Sequence, residues 1–341
     1  LIASMEGSQF RQDVVTGDWV LIAPGRGKRP HQHDQEHFEQ PIDTCPFEPE
    51  RMHEQADPVL LLLDGNEVSW RGAWADAWDV AVLGNKFPAL SAGVCGDPTS
   101  DGLYRSHPGF GFHELVVTRE HGMHLADLSR QQIAHVLTAY HMRYQSITSQ
   151  PCGAYVSIFH NHGTRAGASL AHNHSQILST PIVPPEVYGA VRGADVYSAR
   201  TGRRVYDDIV AHELRHGTRV VYENEDMIVL CPYASKAPFE MMVLPRHHAA
   251  QFPDATPADL SQCADALRVA LIRLRDVVGD PDYNMFLATT PVHMDGVVDP
   301  QAYRWHMRIV PRIPIAAGFE LATAVYVNPT DPDQCAQELR A

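Results

Sequence analysis

Residues 112–121, FHELVVTREH, recur in related form at residues 239–248 as FEMMVLPRHH. In both copies an apolar, β-branched run lies between a glutamate and a histidine, and the separation of Glu114 from His121 is kept in the second copy. Short runs of this composition are typical of β-strands. Because the two copies lie far apart in one chain, we predict two related structural units.

The segments around the two copies follow one order. A strand-like run precedes each copy, and a segment with apolar residues at three- and four-residue steps follows it, at 125–147 and 256–278. This spacing predicts helices, with Ser129 and Thr256 as their N-terminal caps. Two more strand-like runs follow each helix. In the second helix the apolar face is predicted to consist of Leu260, Ala264, Leu267, Leu271 and Leu274.

The order of these segments predicts an α+β protein of two tandem lobes, at residues 1–195 and 196–341. Short strands with hairpin-like spacing favour antiparallel sheets, on which the long helices are expected to pack. The chain has 341 residues, 44% of them hydrophobic, which is sufficient for two lobes with their own cores.

Composition excludes several classes of partner. The formal net charge is −14, from 41 acidic and 27 basic residues, so we do not expect the protein to coat nucleic acid or anionic lipid. No apolar run is long enough to span a bilayer, and the start of the chain does not resemble a secretory signal. The six cysteines are scattered without a framework pattern, which favours a reducing, cytoplasmic setting.

The segment ASLAHNHSQIL, at residues 168–178, places His172, His174 and Gln176 at alternating positions. If it is a strand, all three side chains project from one face. Burying two imidazoles and an amide side by side in a core would require a hydrogen-bond partner for each. The pattern therefore favours a functional face over a packed core, and an imidazole there can act as a metal ligand or as a nucleophile.

The wider segment HNHGTRAGASLAHNHSQI, at residues 160–177, resembles the active-site segment of galactose-1-phosphate uridylyltransferases, the transferase branch of the histidine-triad superfamily. The resemblance covers nearly the whole chain and implies two histidine-triad-like lobes. Four other segments occur in the order found in that family: DVVTGDWVLIAPGRGKRP (13–30), GNKFPAL (84–90), PFEMMVLPRHH (238–248) and GFELATAVYVNP (318–329).

The resemblance implies that His174 is a nucleophile that carries a nucleoside monophosphate. Neutral imidazole suits this role, since its ordinary pKa of about 6.5 leaves it largely unprotonated at neutral pH. Hydrolases of the superfamily generally have a third histidine at the position of Gln176. An amide can hold a phosphoryl oxygen without supplying protons, so Gln176 favours group transfer over hydrolysis.

The resemblance also implies ligand contacts outside the nucleophile. In GRGKRP, the matching phosphate contacts are Arg26 and Arg29, although a solvated basic turn is the ordinary alternative. The segment containing Phe319 and Glu320 matches one that reaches the hexose in relatives, where tyrosine replaces the phenylalanine; a surface ion pair is the alternative for Glu320. The matching nucleotide-binding positions are Asn85 for the base, and Asn161, Gly167, Ser169 and Gln176 for the phosphates and ribose.

Relatives often hold a structural zinc beside the nucleophile, and the matching positions here are Cys45, Glu48, His121 and His172. The chain departs from the family at Glu48, because CPFE has glutamate where a second cysteine is usual. A carboxylate oxygen can complete a tetrahedral zinc site, whereas an isolated cysteine is more often a small buried apolar residue. A second metal site between the lobes is not expected, since RWHMR pairs His306 with Arg308 despite His247 and His293 nearby.

We therefore predict a nucleotidyltransferase that moves a nucleoside monophosphate between a nucleoside diphosphate sugar and a sugar 1-phosphate, as galactose-1-phosphate uridylyltransferases do. One alternative is a nucleotide-sugar phosphorylase, similar to the ADP-glucose phosphorylase-like members, with inorganic phosphate as acceptor. Another is a non-catalytic nucleotide-binding protein that has kept the cavity. The resemblance also implies a homodimer. The sugar and the base stay open.

Overall fold

The computed structural model describes residues 7–28, 40–48, 50–72, 74, 78–91, 93, 96–150, 153–292, 298–313 and 316–341. Two residues named above, Arg29 and His293, lie outside the described residues. The helices are α1 (Arg130–Thr148), α2 (Pro185–Thr201), α3 (Val205–His216), α4 (Pro257–Val278), α5 (Gly318–Thr323) and α6 (Pro332–Arg340).

The strands form one large sheet and two small ones. Their bounds are β1 (Gln9–Gln12), β2 (Trp19–Ile22), β3 (Leu60–Leu63), β4 (Asn66–Glu67), β5 (Val80–Gly84), β6 (Thr99–Asp101), β7 (Tyr104–Ser106), β8 (His113–Thr118), β9 (Tyr155–His162), β10 (His174–Thr180), β11 (Val220–Glu223), β12 (Met227–Leu230), β13 (Met241–Pro245), β14 (Tyr283–Ala288), β15 (His306–Pro311) and β16 (Tyr326–Asn328). The large sheet has eleven strands in the order β11-β12-β13-β15-β14-β9-β10-β8-β5-β3-β4, and β1-β2-β16 and β6-β7 form the others.

The large sheet shows the predicted repeat as a symmetric strand order. From the middle outward, β9, β10, β8 and β5 of the first lobe correspond to β14, β15, β13 and β12 of the second. The two halves meet where β9 pairs with β14 in antiparallel fashion. The α+β class and the antiparallel pairing are thus confirmed, and the lobes share one continuous sheet.

One face of this sheet is covered by helices in both lobes. Helices α1 and α4 pack on it, and the apolar residues between them form the largest core cluster of the described part of the chain. The predicted apolar face of the second long helix is buried there. Both predicted caps are confirmed, because Ser129 and Thr256 each accept a hydrogen bond from the backbone of the first helical turn and form a complete capping box.

The opposite face of the sheet differs between the lobes. In the second lobe, α2 and α3 contribute Val191, Tyr206 and other apolar residues to a separate core cluster on this face. In the first lobe, a smaller cluster around Phe47 and Leu83 covers only part of it. This difference leaves an open cavity on the first lobe, lined by residues of β9 and β10.

The division into lobes at 195 and 196 stays a proposal, and in the structure this position lies within α2. Among the described residues, no helix combines the length and the apolar character needed to cross a bilayer.

Candidate active site and metal cluster

A cavity of about 350 Å³ lies at the end of β9 and the start of β10, beside the loop that joins them. These strands are antiparallel neighbours, so consecutive side chains alternate between the helix-covered face and the open face. Residues on its wall include His121, His160, Asn161, His172, His174 and Asp280. The structure therefore brings two of the three residues of the His-x-His-x-Gln pattern to one cavity.

The ring of His174 is held in one tautomer. Its Nδ1–H donates to the carbonyl oxygen of His172 at 2.8 Å, which leaves Nε2 as the unprotonated nitrogen. The side chain is only 9% exposed, and Phe47 lies beside it with a ring-centroid distance of 5.8 Å. Burial lowers the pKa of His174 and so favours the neutral ring. A neutral imidazole with a defined lone pair is suited to nucleophilic attack.

Gln176 is oriented by a histidine that sequence reasoning did not identify. The backbone N–H of Ala89 donates to Nδ1 of His113 at 3.0 Å, so the ring proton of neutral His113 lies on Nε2. This Nε2 is 3.0 Å from Oε1 of Gln176 and 3.0 Å from Nδ2 of Asn85. The Gln176 oxygen accepts from His113, and its NH₂ group therefore points away from that ring.

Asn161 and Gly167 lie together at the loop after β9. Gly167 has φ +91°, a left-handed conformation that favours glycine, and a Cβ there would lie 3.8 Å from Nδ2 of Asn161. Asn284 on β14 donates from Nδ2 to Oδ1 of Asn161 at 2.8 Å. The amide nitrogen of Asn161 is thus on the side away from the second lobe.

Several residues expected at the site do not line the cavity in the described part of the chain. Arg26 is exposed in a single turn after β2, and Ser169 is exposed in the loop before β10. Phe319 is 50% exposed on α5. Glu320 caps the same helix, since its carboxylate accepts from the backbone N–H of Ala317 at 2.9 Å. Their ligand contacts stay predictions.

The four predicted metal ligands converge. One ligand atom from each of Cys45, Glu48, His121 and His172 lies within 4.8 Å of all the others. Oε1 of Glu48 is 2.6 Å from Nδ1 of His121 and 3.4 Å from Nδ1 of His172, and Sγ of Cys45 is 3.4 Å from the latter nitrogen. Glutamate therefore takes the position that the resemblance assigned to a second cysteine.

The hydrogen bonds around this cluster orient the two histidine rings so that they could bind a cation. Nε2–H of His172 donates to the carbonyl oxygen of Thr118 at 2.7 Å, and Nε2–H of His121 donates to that of Gln40 at 2.9 Å. When both rings are neutral, their two Nδ1 lone pairs face a carboxylate and a sulfur atom. These four side chains could hold a metal ion such as zinc, with both histidine rings oriented by backbone hydrogen bonds. Burial raises the pKa of the Cys45 thiol, which a bound cation would oppose.

A second group of histidines on the cavity wall was missed. His160 is 3% exposed, and its Nδ1–H donates to the carbonyl oxygen of His174 at 2.9 Å. His162 lies 3.4 Å from Asp280 and stacks on Tyr283, with 4.8 Å between ring centroids. Both histidines stand in the quoted HNHG segment, but only the intervening Asn161 matched a family position.

The second lobe has an equivalent of His174 that is buried. His306 follows the same pattern as His174, because its Nδ1–H donates to the carbonyl oxygen of Arg304 at 3.0 Å. Tyr206 and Tyr303 lie against the His306 ring, with centroids 5.5 and 5.9 Å away, and His306 is buried. Where the first lobe has Gln176, the second has Arg308, which forms an ion pair with Glu240.

The chain matches a known protein family over the part that contains most of the residues lining the cavity. The N-terminal domain of the galactose-1-phosphate uridyl transferases matches residues 2–184, which is more than half of the chain. The chain belongs to the galactose-1-phosphate uridyl transferase family. Residues 106–341 of this family member also match a domain of unknown function (DUF4921).

Individual members of the uridyl transferase family match nearly the full length of the chain. An ADP-glucose phosphorylase from Arabidopsis thaliana is 29% identical, over 98% of this chain and 93% of that protein. A galactose-1-phosphate uridylyltransferase from Hypocrea jecorina is 26% identical, over 98% and 95%. The crystal structure of the Arabidopsis thaliana ADP-glucose phosphorylase with bound ADP-glucose superimposes with a TM-score of 0.81, 27% identity, and coverage of 98% and 99%. A uridylyltransferase structure superimposes with a TM-score of 0.74 at 27% sequence identity, and the match covers 97% of each chain. The family resemblance and the α+β fold are confirmed.

Proposed function

We propose that the protein transfers a nucleoside monophosphate from a nucleoside diphosphate sugar to a phosphate acceptor, through a covalent intermediate on His174. In the first step Nε2 of His174 attacks the α-phosphorus, and the bond from phosphorus to the bridging oxygen breaks, which releases a sugar 1-phosphate. In the second step an acceptor phosphate oxygen attacks the same phosphorus, and the P–N bond breaks. His174 returns to its neutral form, so the cycle is balanced.

The observation that carries this proposal is the state of His174. Its Nδ1 is committed to a backbone carbonyl, its ring lines the cavity, and it is not part of the cation-binding cluster of described residues. Nε2 is therefore the nitrogen available to a substrate. A core histidine would have no cavity beside it, and a metal ligand would have its lone pair occupied.

Gln176 supports transfer in preference to hydrolysis. With its oxygen accepting from His113, its NH₂ group is the part available to a phosphoryl oxygen. An amide supplies no proton, and a sugar phosphate leaves as an anion with a second pKa of about 6, so little protonation is needed. Water gains no general acid or base from this side chain.

The similarity to an ADP-glucose phosphorylase favours inorganic phosphate as the acceptor. The Arabidopsis thaliana ADP-glucose phosphorylase has higher identity than the uridylyltransferase described above, and its structure superimposes more closely. We therefore propose ADP-glucose as donor and inorganic phosphate as acceptor. Exchange between UDP-glucose and a hexose 1-phosphate is the second candidate, supported by the several uridylyltransferases that match along most of the chain.

We propose that Cys45, Glu48, His121 and His172 hold a structural zinc ion. The ion would fix the ring of His172, whose carbonyl oxygen in turn orients His174. We assign it no role in the transfer itself.

The other expected contacts belong to this proposal as well. Arg26, Arg29, Asn85, Asn161, Gly167 and Ser169 would contact the nucleotide, and Phe319 and Glu320 would contact the sugar, in part across a homodimer. We place the protein in the cytoplasm, which the four cysteines of the described chain support, since they are unpaired and buried.

A substrate panel tests the function. The purified protein is incubated with ADP-glucose, UDP-glucose or a GDP-sugar, each with inorganic phosphate, a hexose 1-phosphate or no acceptor, and products are quantified. We expect turnover of ADP-glucose with inorganic phosphate and none without an acceptor. Preference for UDP-glucose with a hexose 1-phosphate would select the second candidate. Tight nucleotide binding without turnover of any donor would contradict both and indicate a non-catalytic binding protein.

A further inference from the structure

The boundary between the two lobes passes directly beside the cavity. Asn161 on β9 and Asn284 on β14 are register partners in the antiparallel pair that joins the lobes. Nδ2 of Asn284 lies 2.8 Å from Oδ1 of Asn161 and also 2.8 Å from the carbonyl oxygen of Ala166. One amide group of the second lobe therefore contacts both the Asn161 side chain and the turn that leads to Gly167.

These contacts fix the orientation of both amides. The oxygen and nitrogen of an asparagine can be exchanged by rotating the amide, so orientation has to follow from the partners. The carbonyl oxygen of Ala166 can only accept, so the NH₂ group of Asn284 must face it. The same NH₂ group faces Asn161, which must therefore present its oxygen to Asn284.

The consequence lies on the cavity side of Asn161. With Oδ1 held by Asn284, the NH₂ group of Asn161 points away from the second lobe and toward the loop of Gly167. A Cβ added to Gly167 would lie 3.8 Å from this nitrogen. Rotated by half a turn, Asn161 would present its oxygen instead. A phosphoryl oxygen is an acceptor and is repelled by another acceptor, so only the first orientation suits a diphosphate.

We infer that Asn284 is a positioning residue: anchored on the carbonyl oxygen of Ala166, it orients the Asn161 amide to donate a hydrogen bond to the phosphates of the nucleotide substrate. This inference rests on the proposed function, in that Asn161 is taken to contact the nucleotide. It gives the second lobe a direct part in the nucleotide site, which the sequence patterns of that lobe did not indicate.

Two variants of Asn284 separate orientation from packing. Asn284→Asp keeps the shape but replaces the donor with an acceptor, so Asn161 is driven to the unsuitable orientation. Asn284→Ser introduces an uncharged side chain that is too short to reach both Oδ1 of Asn161 and the carbonyl oxygen of Ala166. The Asn161 amide is then free to rotate. The matched control is Phe286→Leu, which alters a half-buried side chain on the same strand and at the same lobe boundary.

The experiment measures the affinity for ADP and for UDP by calorimetry, kcat/KM in the substrate panel, and the melting temperature, for each variant alone and combined with Asn161→Ala. Loss of a hydrogen bond to a charged group predicts an affinity reduced by about tenfold or more for Asn284→Ser, and by more for Asn284→Asp. In the Asn161→Ala background, both changes at position 284 are expected to reduce affinity by less than about twofold.

A purely structural role of Asn284 would not make its effect on affinity depend on Asn161, and the double variants test this dependence. If the losses at 161 and 284 multiply, or if Phe286→Leu reduces affinity as much as Asn284→Asp does, Asn284 does not act through Asn161 and the inference is overturned. Binding with the predicted coupling but without turnover would contradict the proposed function and leave the inference standing. Absence of ADP and UDP binding by the unaltered protein would overturn both.

Discussion

His174 is the first residue of β10 and His172 lies two positions before it, yet they expose opposite nitrogens. His172 donates its Nε2–H to Thr118 and leaves Nδ1 for the metal cluster. His174 donates its Nδ1–H to the backbone of His172 and leaves Nε2 for the cavity. The backbone therefore directs one ring to the candidate metal cluster and the other to the cavity, without any difference in residue type.

Glu48 provides a test of the metal cluster that does not depend on activity. We expect Glu48→Gln to bind zinc at least about tenfold more weakly, because it removes the only carboxylate of the cluster while Cys45 stays. Glu48→Cys is expected to restore binding. Zinc content after dialysis and competition with a chelator measure both.

The matched control for this test is Glu54→Gln, which changes an exposed glutamate in the turn that follows. Equal zinc content in Glu48→Gln and Glu54→Gln, with unchanged affinity, would remove Glu48 from the cluster.

Alternation along a strand was sufficient to place His174 and Gln176 on one face, because that property depends only on neighbouring residues, whereas His172 lies before the first residue of β10. The groups that orient them were not predictable in this way. His113 reaches Gln176 from another strand, and Asn284 reaches Asn161 from the other lobe. Such contacts depend on strand pairing, which local spacing does not specify.

At the level of helices and strands, the repeated order of segments predicted most of the architecture. The long helices carry regular apolar faces and N-terminal capping boxes, which are local signals. The pairing of β9 with β14 was not foreseen, nor was the extension of α2 through the expected lobe boundary at 195. The first is a long-range contact, and the second lies in a helix with few buried residues.

Helices α2 and α3 explain why His306, the counterpart of His174 in the second lobe, is buried. They cover the face of the second lobe that corresponds to the open face of the first, and Tyr206 from α3 lies against His306. His306 keeps the backbone hydrogen bond that His174 makes, but its side chain is buried against Tyr206 and Tyr303. The second lobe instead contributes Asn284, which contacts Asn161 on the wall of the first lobe's cavity.

Burial of His306 affects the stability of the whole protein toward acid. Burial lowers its pKa to about 3, whereas the ordinary value in an unfolded chain is about 6.5. Between these values the unfolded chain binds a proton that the folded protein does not. The contribution to the free energy of unfolding is therefore intact above about pH 6.5 and is lost as the pH falls toward 3, by about 1.4 kcal/mol per pH unit.

We accordingly expect the free energy of unfolding of His306→Gln to fall less between pH 7 and pH 5 than that of the unaltered protein, by about 2 kcal/mol. Glutamine keeps an N–H donor for the carbonyl oxygen of Arg304. Denaturant titrations at the two pH values measure the difference, with His216→Gln, at an exposed site, as control. Identical pH dependence in all three proteins would show that His306 is not the group responsible.

The proposed transfer depends on the chemistry of one nitrogen, Nε2 of His174, and mass spectrometry tests it directly. The protein is incubated with ADP-glucose or UDP-glucose without acceptor, digested under mild conditions, and mapped. We expect one nucleoside monophosphate on the peptide that contains His174, removed again by inorganic phosphate or a hexose 1-phosphate, and absent in His174→Ala. Turnover without any adduct, or an adduct on a different residue, would contradict the account.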